Sequence, residues 1–292
     1  MNLPLSVVIP TRDRLDKIEQ TLRALAGEDP GGSFEVIVVD DGSRTQSSVL
    51  SPSLPPLPYS LRFERQPPKG PAAARNLGIS LARGERILLL GDDTRPAPGC
   101  LRRHLEAGRG GAAVQGYIDW DPEQEITPLM AFLAPAGPQF YFAGLADGGP
   151  ISYRAVLGSN FSAPRENFLR EPFDEDFKEA AIEDTELAYR WQRRGFPAIF
   201  SRGAVCWHHH AYHRLEPFLA RQERAGRSAR LAVAKHRRLY WPLYLEPRLF
   251  TALLRARRSC GRLQPSDDWD LACREAYFRG YRDGRPARGR RD

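Results

Sequence analysis

The stretch Val36-Ile37-Val38-Val39-Asp40-Asp41-Gly42-Ser43 decides the fold class. A strand predicted from Phe34 to Val39 is continuously apolar, as a strand covered on both faces must be, and it runs straight into two acids and an Asp-Gly turn. Working outward, the same design recurs. Leu5 to Ile9 is an apolar strand that ends at Pro10-Thr11, and Arg86 to Leu90 runs into Gly91-Asp92-Asp93. Helical spacing separates them: Leu15, Ile18, Leu22 and Leu25 in one segment, then Ala74, Leu77, Gly78 and Leu81 after a Gly70-Pro71 opening. Leu61 to Arg65 predicts a further strand, and the Pro/Ser-rich run 51–58 predicts a loop. Strand and helix therefore alternate over about the first 95 residues, the signature of βαβ units and a parallel sheet. Such sheets bind ligands at the carboxyl ends of their strands. Here those ends carry Thr11, Asp40 with Asp41, and Asp92 with Asp93. Acids repeated along one edge repel each other unless a cation or hydrogen-bond donors compensate.

Composition bounds the rest. The chain has 292 residues, 41% hydrophobic and 27% charged, which suits a globular protein with a sizeable core. No run approaches the roughly 20 apolar residues needed to cross a bilayer. The opening Met1 to Arg14 lacks a basic leader region, so a secretory signal is not expected. Cys100, Cys206, Cys260 and Cys273 are scattered without a paired spacing and are expected to be free thiols in a cytoplasmic protein. The formal charge of +7 is unevenly placed: Arg221 to Arg238 holds seven Lys/Arg and one acid, and the last eight residues add four arginines. Such blocks attract phosphates of nucleotides, nucleic acids or lipids, and a solvated helix face explains them equally well.

The acid after the second strand could serve a dinucleotide-binding unit, but the first strand–helix turn, Pro10-Thr11-Arg12-Asp13-Arg14, contains no glycine. The glycine fingerprint that lets backbone approach a pyrophosphate is absent, which argues against a nicotinamide or flavin dinucleotide. A carboxylate at Asp92-Asp93 can ligate a hard divalent cation that grips a diphosphate. Gly70 through Gly78 joins small residues to Arg75 at a helix start, a setting that favours anions. Glu183 and Asp184 open another predicted helix, where carboxylates can act as bases or merely as caps.

In order along the chain stand Val7 to Arg14, Val36 to Ser43, Gly70 to Gly78, Leu88 to Asp93, and Phe173-Asp174-Glu175 followed by Ile182-Glu183-Asp184-Thr185-Glu186-Leu187. Together they resemble the inverting family-2 glycosyltransferases of the GT-A fold, over about residues 4–212. The resemblance implies an α/β fold with a single mixed, mostly parallel sheet flanked by helices. It also implies a nucleotide-diphospho-sugar donor, UDP-type favoured, a Mn²⁺ or Mg²⁺ cofactor, and a place in cell-surface polysaccharide or glycoconjugate synthesis. It puts Pro10, Thr11, Arg12 and Asp13 in the nucleotide pocket, with Asp40 or Asp41 reading base or ribose, Gly70 and Arg75 near the diphosphate, and Asp184, beside Glu183, as catalytic base. The metal would sit on Asp93, with His208 completing its shell and His210 as second choice. One departure stands out: Gly91 replaces the first acid of the family's Asp-x-Asp motif, leaving its ribose contact to Asp92. Cys206, His208 and His210 offer an alternative zinc set.

The expected organisation is a catalytic domain over residues 1–212 and a basic helical extension over 213–292, with a disordered tail from Gly284. Phe132, Phe140, Tyr141 and Phe142 would face the acceptor or pack in the core. The acceptor could be a sugar, a lipid-linked or a small molecule. Tyr240 to Leu254, aromatic and apolar beside arginines, could lie on an anionic membrane, cap the core or form a homodimer. Two functions compete with transfer: a non-catalytic nucleotide- or sugar-binding module, and a nucleic-acid binder using the basic extension. No recognised nucleic-acid-reading motif supports the latter, so no nucleic-acid partner is expected.

Overall fold

A computed structural model describes residues 3–45, 54, 56–261 and 264–284. Residues 51–53 and 55 of the 51–58 run, and the tail from Arg285, lie outside the described residues. Among them, one eight-stranded sheet runs in the order β3-β2-β1-β4-β7-β6-β8-β5. Its first half is β1 (Leu5–Thr11), β2 (Phe34–Asp40), β3 (Ser60–Arg65) and β4 (Arg86–Leu90), all parallel. These strands alternate with α1 (Leu15–Leu25) and α2 (Pro71–Leu81), as expected from the sequence. β2 and β4 are buried at every residue, whereas β3 is the edge and exposes Ser60, Arg62 and Arg65. The two-residue period divides the core. Leu5, Val7, Ile9, Val36 and Val38 face α1, while Val8, Ile37 and Val39 face α2. A Cβ on Gly78 would lie 2.4 Å from Val8 Cγ1, so glycine lets α2 sit close against the sheet.

The second half is mixed. β7 (Asn160–Pro164) is antiparallel to β4 and β6, while β6 (Ala113–Trp120) and β8 (Ala198–His208) are parallel. Short β5 (Thr94–Pro96) closes the edge antiparallel to β8. The sequence suggests two short strands at 198–201 and 204–207; the structure makes them one. Pairing steps from Gly116↔Ser201 to Tyr117↔Val205, so Arg202 to Ala204 bulge out. Gly116 makes room, since a Cβ there would meet Ala204 O at 2.4 Å. α3 (Cys100–Ala107), α4 (Pro128–Leu133), α5 (Arg165–Arg170) and α6 (Glu183–Arg193) flank this half.

The C-terminal helices are α7 (Glu216–Lys235), α8 (Glu246–Ser259), entered through a π-helical turn at Trp241–Leu245, and α9 (Pro265–Asp283). Two glycines set the α7–α9 crossing: a Cβ on Gly226 would lie 1.9 Å from Tyr277 O, and one on Gly280 would lie 1.9 Å from Glu223 O. Phe218 of α7 and Cys273 of α9 join the same core cluster as Val8 and Phe161. The basic helix is thus built onto the sheet domain through a shared core.

Candidate functional site

The parallel strands end on one side, and a cleft of about 570 Å³ opens there. Thr11, the last residue of β1, donates from Oγ1 to Asp92 Oδ2 at 2.9 Å. Arg14, in the turn before α1, donates from Nη1 to Asp92 Oδ1 at 3.1 Å and to Asp93 Oδ2 at 2.8 Å. From α1, Thr21 Oγ1 donates to the Asp92 carbonyl at 2.9 Å. β8 brings His208 to the same acids, its Nε2 3.5 Å from Asp93 Oδ2. The His209 amide donates to the Asp93 carbonyl at 2.8 Å and ties the two segments together.

Charge is finely divided across the acid pair. Burial, then the neighbouring Asp93, push Asp92 up to about 6. Burial opposes the charge on Asp93 as well. There the imidazole of His208 and the guanidinium of Arg14, with His210 and Arg221, outweigh it and hold the carboxyl below its usual range. Burial pushes His208 itself down to about 4. At neutral pH the ring is therefore uncharged, and the arginines carry that stabilisation. Trp120 and Phe140 pack edge-on against His208, and its Nδ1 has no hydrogen-bond partner. His210 follows on the same side, its ring 5.9 Å from that of His208, while His209 turns away to Asp121.

Asp41 organises the next wall. Its Oδ1 accepts from Gln66 Nε2 and the Lys69 amide, both at 2.8 Å, and its Oδ2 accepts from the Gly70 amide at 2.9 Å, with Arg12 Nη1 4.0 Å away. Gly70 takes φ +96°, and a Cβ there would lie 2.7 Å from Lys178 O, so glycine is required where α2 starts. Asp40 differs from its neighbour. It accepts from the Ser43 amide at 2.8 Å, lies 3.7 Å from Arg65, and does not line the cleft. Asp13, at φ +54°, also stands outside the lining: it clasps the 43–44 turn through Ser43 Oγ and the Arg44 amide. The Arg44 amide bond holds its carboxyl below the usual range.

Arg75 lines the cleft while its Nη1 bonds Glu183 Oε1 at 2.7 Å, both side chains buried. Burial and then Asp184 raise the Glu183 pKa, against the pull of Arg75. Asp184 accepts from the Gly158 amide at 2.9 Å and the Thr185 amide at 2.7 Å. Neither Glu183 nor Asp184 lines the cleft, but Ser159, next to Gly158, does. Ile182 just before them holds φ +71°, a strained setting for a β-branched residue that costs about 1–3 kcal/mol and fixes the direction in which α6 starts.

Gly91 has a tertiary explanation. A Cβ there would lie 2.6 Å from Thr94 Oγ1 and 3.2 Å from Asp93 Oδ1, so a side chain at 91 requires the Thr94 hydroxyl to move aside. Pro10, Thr11, Arg12, Asp41, Gly70, Arg75, Asp92, Asp93 and His208 thus meet in one cleft, as the sequence suggests. The sequence reading missed Arg14, Gln139 and Lys178 as lining residues, and Arg221 and Arg224, seen only as part of a basic block. The alternative zinc trio does not form: Cys206 faces Cys100 at 3.6 Å, and no group of three metal-type side chains converges among the described residues.

With this geometry in place, the chain can be compared with known proteins. The family model described as Glycosyl transferase family 2 matches residues 6–133. Over these residues the chain is similar to the family-2 glycosyltransferases. Among curated relatives, it is 29% identical over 225 residues to the validoxylamine A glucosyltransferase of Streptomyces hygroscopicus subsp. jinggangensis, covering 68% of this chain and 53% of that protein. It is 26% identical to the chondroitin synthase of Escherichia coli, covering 70% of this chain and 34% of that one. The chain thus spans about half the length, or less, of these curated relatives. Among solved structures, a mannosyltransferase of Pyrobaculum calidifontis in complex with GDP-Man and Mn²⁺ superposes with a TM-score of 0.67 at 18% identity, over 97% of this chain and 87% of that one. S. aureus TarS 1–349 in complex with UDP gives a TM-score of 0.55 at 16% identity, over 98% and 93%. The glycosyltransferase domain and the helices that follow it therefore share the GT-A architecture.

Proposed function

We propose that this chain transfers a sugar from a nucleotide-diphospho-sugar to an acceptor hydroxyl with inversion. One observation carries the reading: β1, β4 and β8 bring Thr11, Arg14, Asp92, Asp93 and His208 together in the cleft formed at the parallel strand ends. In this reading Pro10, Thr11, Arg12 and Asp41 receive the nucleoside, UDP-type favoured, and Arg75 faces the diphosphate. Asp184, with two amides fixing its carboxylate, takes the proton of the acceptor hydroxyl as it attacks the anomeric carbon on the side opposite the leaving nucleotide. Glu183 positions Arg75 through their buried ion pair.

The donor set suits Mn²⁺ or Mg²⁺. Asp93 offers a hard carboxylate oxygen and His208 an uncharged imidazole, and these ions complete their shells with substrate phosphates and water. A cation held there would neutralise charge developing on the leaving diphosphate.

The acceptor is a sugar, a lipid-linked or a small molecule. Tyr240, Trp241, Leu249, Phe250 and Leu253 form an exposed apolar stretch beside Arg248 and Arg258. It fits peripheral contact with an anionic membrane on the cytoplasmic side, where a lipid-linked acceptor would be presented. No helix among the described residues is long and apolar enough to cross a membrane.

The test is a thermal-shift panel of nucleoside diphosphates with and without Mn²⁺ or Mg²⁺. A metal-dependent rise with one base is expected. No rise with any nucleotide overturns the reading.

A further inference from the structure

The basic block on α7 divides sharply once its partners are known. Arg227 pairs with Glu179 at 2.6 Å, and Lys235 pairs with Asp174 and Asp176, so these cations pin α7 to the segment before α6. Arg221 and Arg224 behave otherwise. Both line the cleft that holds Asp92, Asp93 and His208, and neither has a carboxylate partner among the described residues. Arg221 spends one N–H on Gln139 and lies over the Phe218 ring; Arg224 makes no hydrogen bond or ion pair among the described residues. Two like charges three residues apart on a helix repel each other, and both are partly buried. An anion entering beside them relieves that repulsion.

Their placement is built in. Gly226 and Gly280 allow α7 and α9 to cross with backbone in contact, and Phe218 anchors the start of α7 in the main core. The arginines are thus held on a rigid helix rather than on a loop, as a binding group requires. They lie outside the 6–133 segment matched by the family model.

We propose that Arg221 and Arg224 form a guanidinium grip for the diphosphate of the bound nucleotide, supplied by the C-terminal helices and acting independently of any metal. The inference rests on the nucleotide-sugar reading of the cleft. It makes α7 a working wall of the donor site, and a diphosphate is the chemistry that two forked donors match best.

Calorimetric titration of the full chain with UDP, GDP, the corresponding nucleosides and inorganic pyrophosphate tests it, in Mn²⁺ and in EDTA. The double variant Arg221→Gln, Arg224→Gln is expected to lose tenfold or more in affinity for diphosphates and pyrophosphate in both media, with nucleoside affinity unchanged. Arg238→Gln, which removes the same charge from an exposed position of the block, is expected to bind as the parent does. The single Arg224→Gln variant, whose guanidinium supports no bond in the fold, keeps the test valid if the double variant does not fold. Equal diphosphate binding by variant and parent overturns the proposal, as does a loss shared equally by nucleosides. A parent that binds pyrophosphate through these arginines but gains nothing from a nucleoside overturns the transferase reading and reduces this proposal to a diphosphate site without a nucleotide.

Discussion

The two halves of the sheet place their functional groups in different ways. In β1, β2 and β4 every group in the cleft is the residue at which a buried strand stops: Thr11, Asp41 just past β2, and Asp92 with Asp93 just past β4. Strand period and turn chemistry aim them, and their hydrogen bonds run to a neighbouring strand end, as from Thr11 to Asp92, or to the start of α2, as from Gly70 to Asp41. In the second half the groups come from helix starts, a bulged strand and a distant helix: Asp184, His208, Arg221 and Arg224. Each depends on a contact remote in sequence, such as Gly158 for Asp184 or the glycine crossing for α7. In the proposed reading the parallel half supplies the binding floor, and the mixed half supplies the base and the groups that depend on packing between distant segments.

Asp184→Asn would sharpen this contrast most. It is expected to lower kcat by about 10²–10⁴-fold, the range of a general base, while nucleotide affinity measured by titration stays within a few-fold. Near-normal turnover would return the chemistry to the strand ends. Gly226→Ala comes next. Its Cβ would meet backbone, so denaturant unfolding should show a loss of about 1–3 kcal/mol or more, together with weaker diphosphate binding. Gly78→Ala, which strains the sheet half against Val8, should lose comparable stability and leave diphosphate affinity in the surviving folded protein unchanged. If both variants weaken binding alike, the two halves are not separable.

Asp41→Ala tests the floor itself. Removing its carboxylate strands Gln66 and the amides of Lys69 and Gly70, and a loss of about 1–3 kcal/mol in chemical denaturation is expected, with nucleoside affinity falling alongside. The smallest effect belongs to the exposed face of α8. Leu249→Ser, Phe250→Ser and Leu253→Ser should each shift stability by less than about 0.5 kcal/mol, and combined they should abolish sedimentation with anionic vesicles. Vesicle binding equal to the parent removes the membrane role, and a change from dimer to monomer in light scattering would assign the face to a second copy.

Much of the site was legible because it obeys local rules. An apolar run followed by Asp-Asp can be read in eight residues, and the missing glycines at Pro10 to Arg14 exclude a dinucleotide without any structure. Asp40 and Asp41 show the limit. They are adjacent and chemically identical, and only the hydrogen bonds reveal that Asp40 closes a turn while Asp41 faces the cleft. Arg14 was invisible for a related reason, since its value lies in reaching acids some 80 residues away. The joined strand Ala198–His208 was read as two because a bulge breaks the period that sequence reading relies on.

The sequence by itself determined the parallel βαβ start, the acids at its strand ends, the family resemblance and the basic character of the last helices. These follow from periodicity, turn residues and composition, which act over a few neighbouring positions. Tertiary structure alone decided how closely Thr94 and Asp93 crowd Gly91, which of two adjacent acids faces the cleft, and that Arg221 and Arg224 line it while Arg227 and Lys235 pair with acids before α6. Those outcomes depend on close packing between segments far apart in the chain, where a few tenths of an ångström separate contact from clash, and no local pattern encodes that distance.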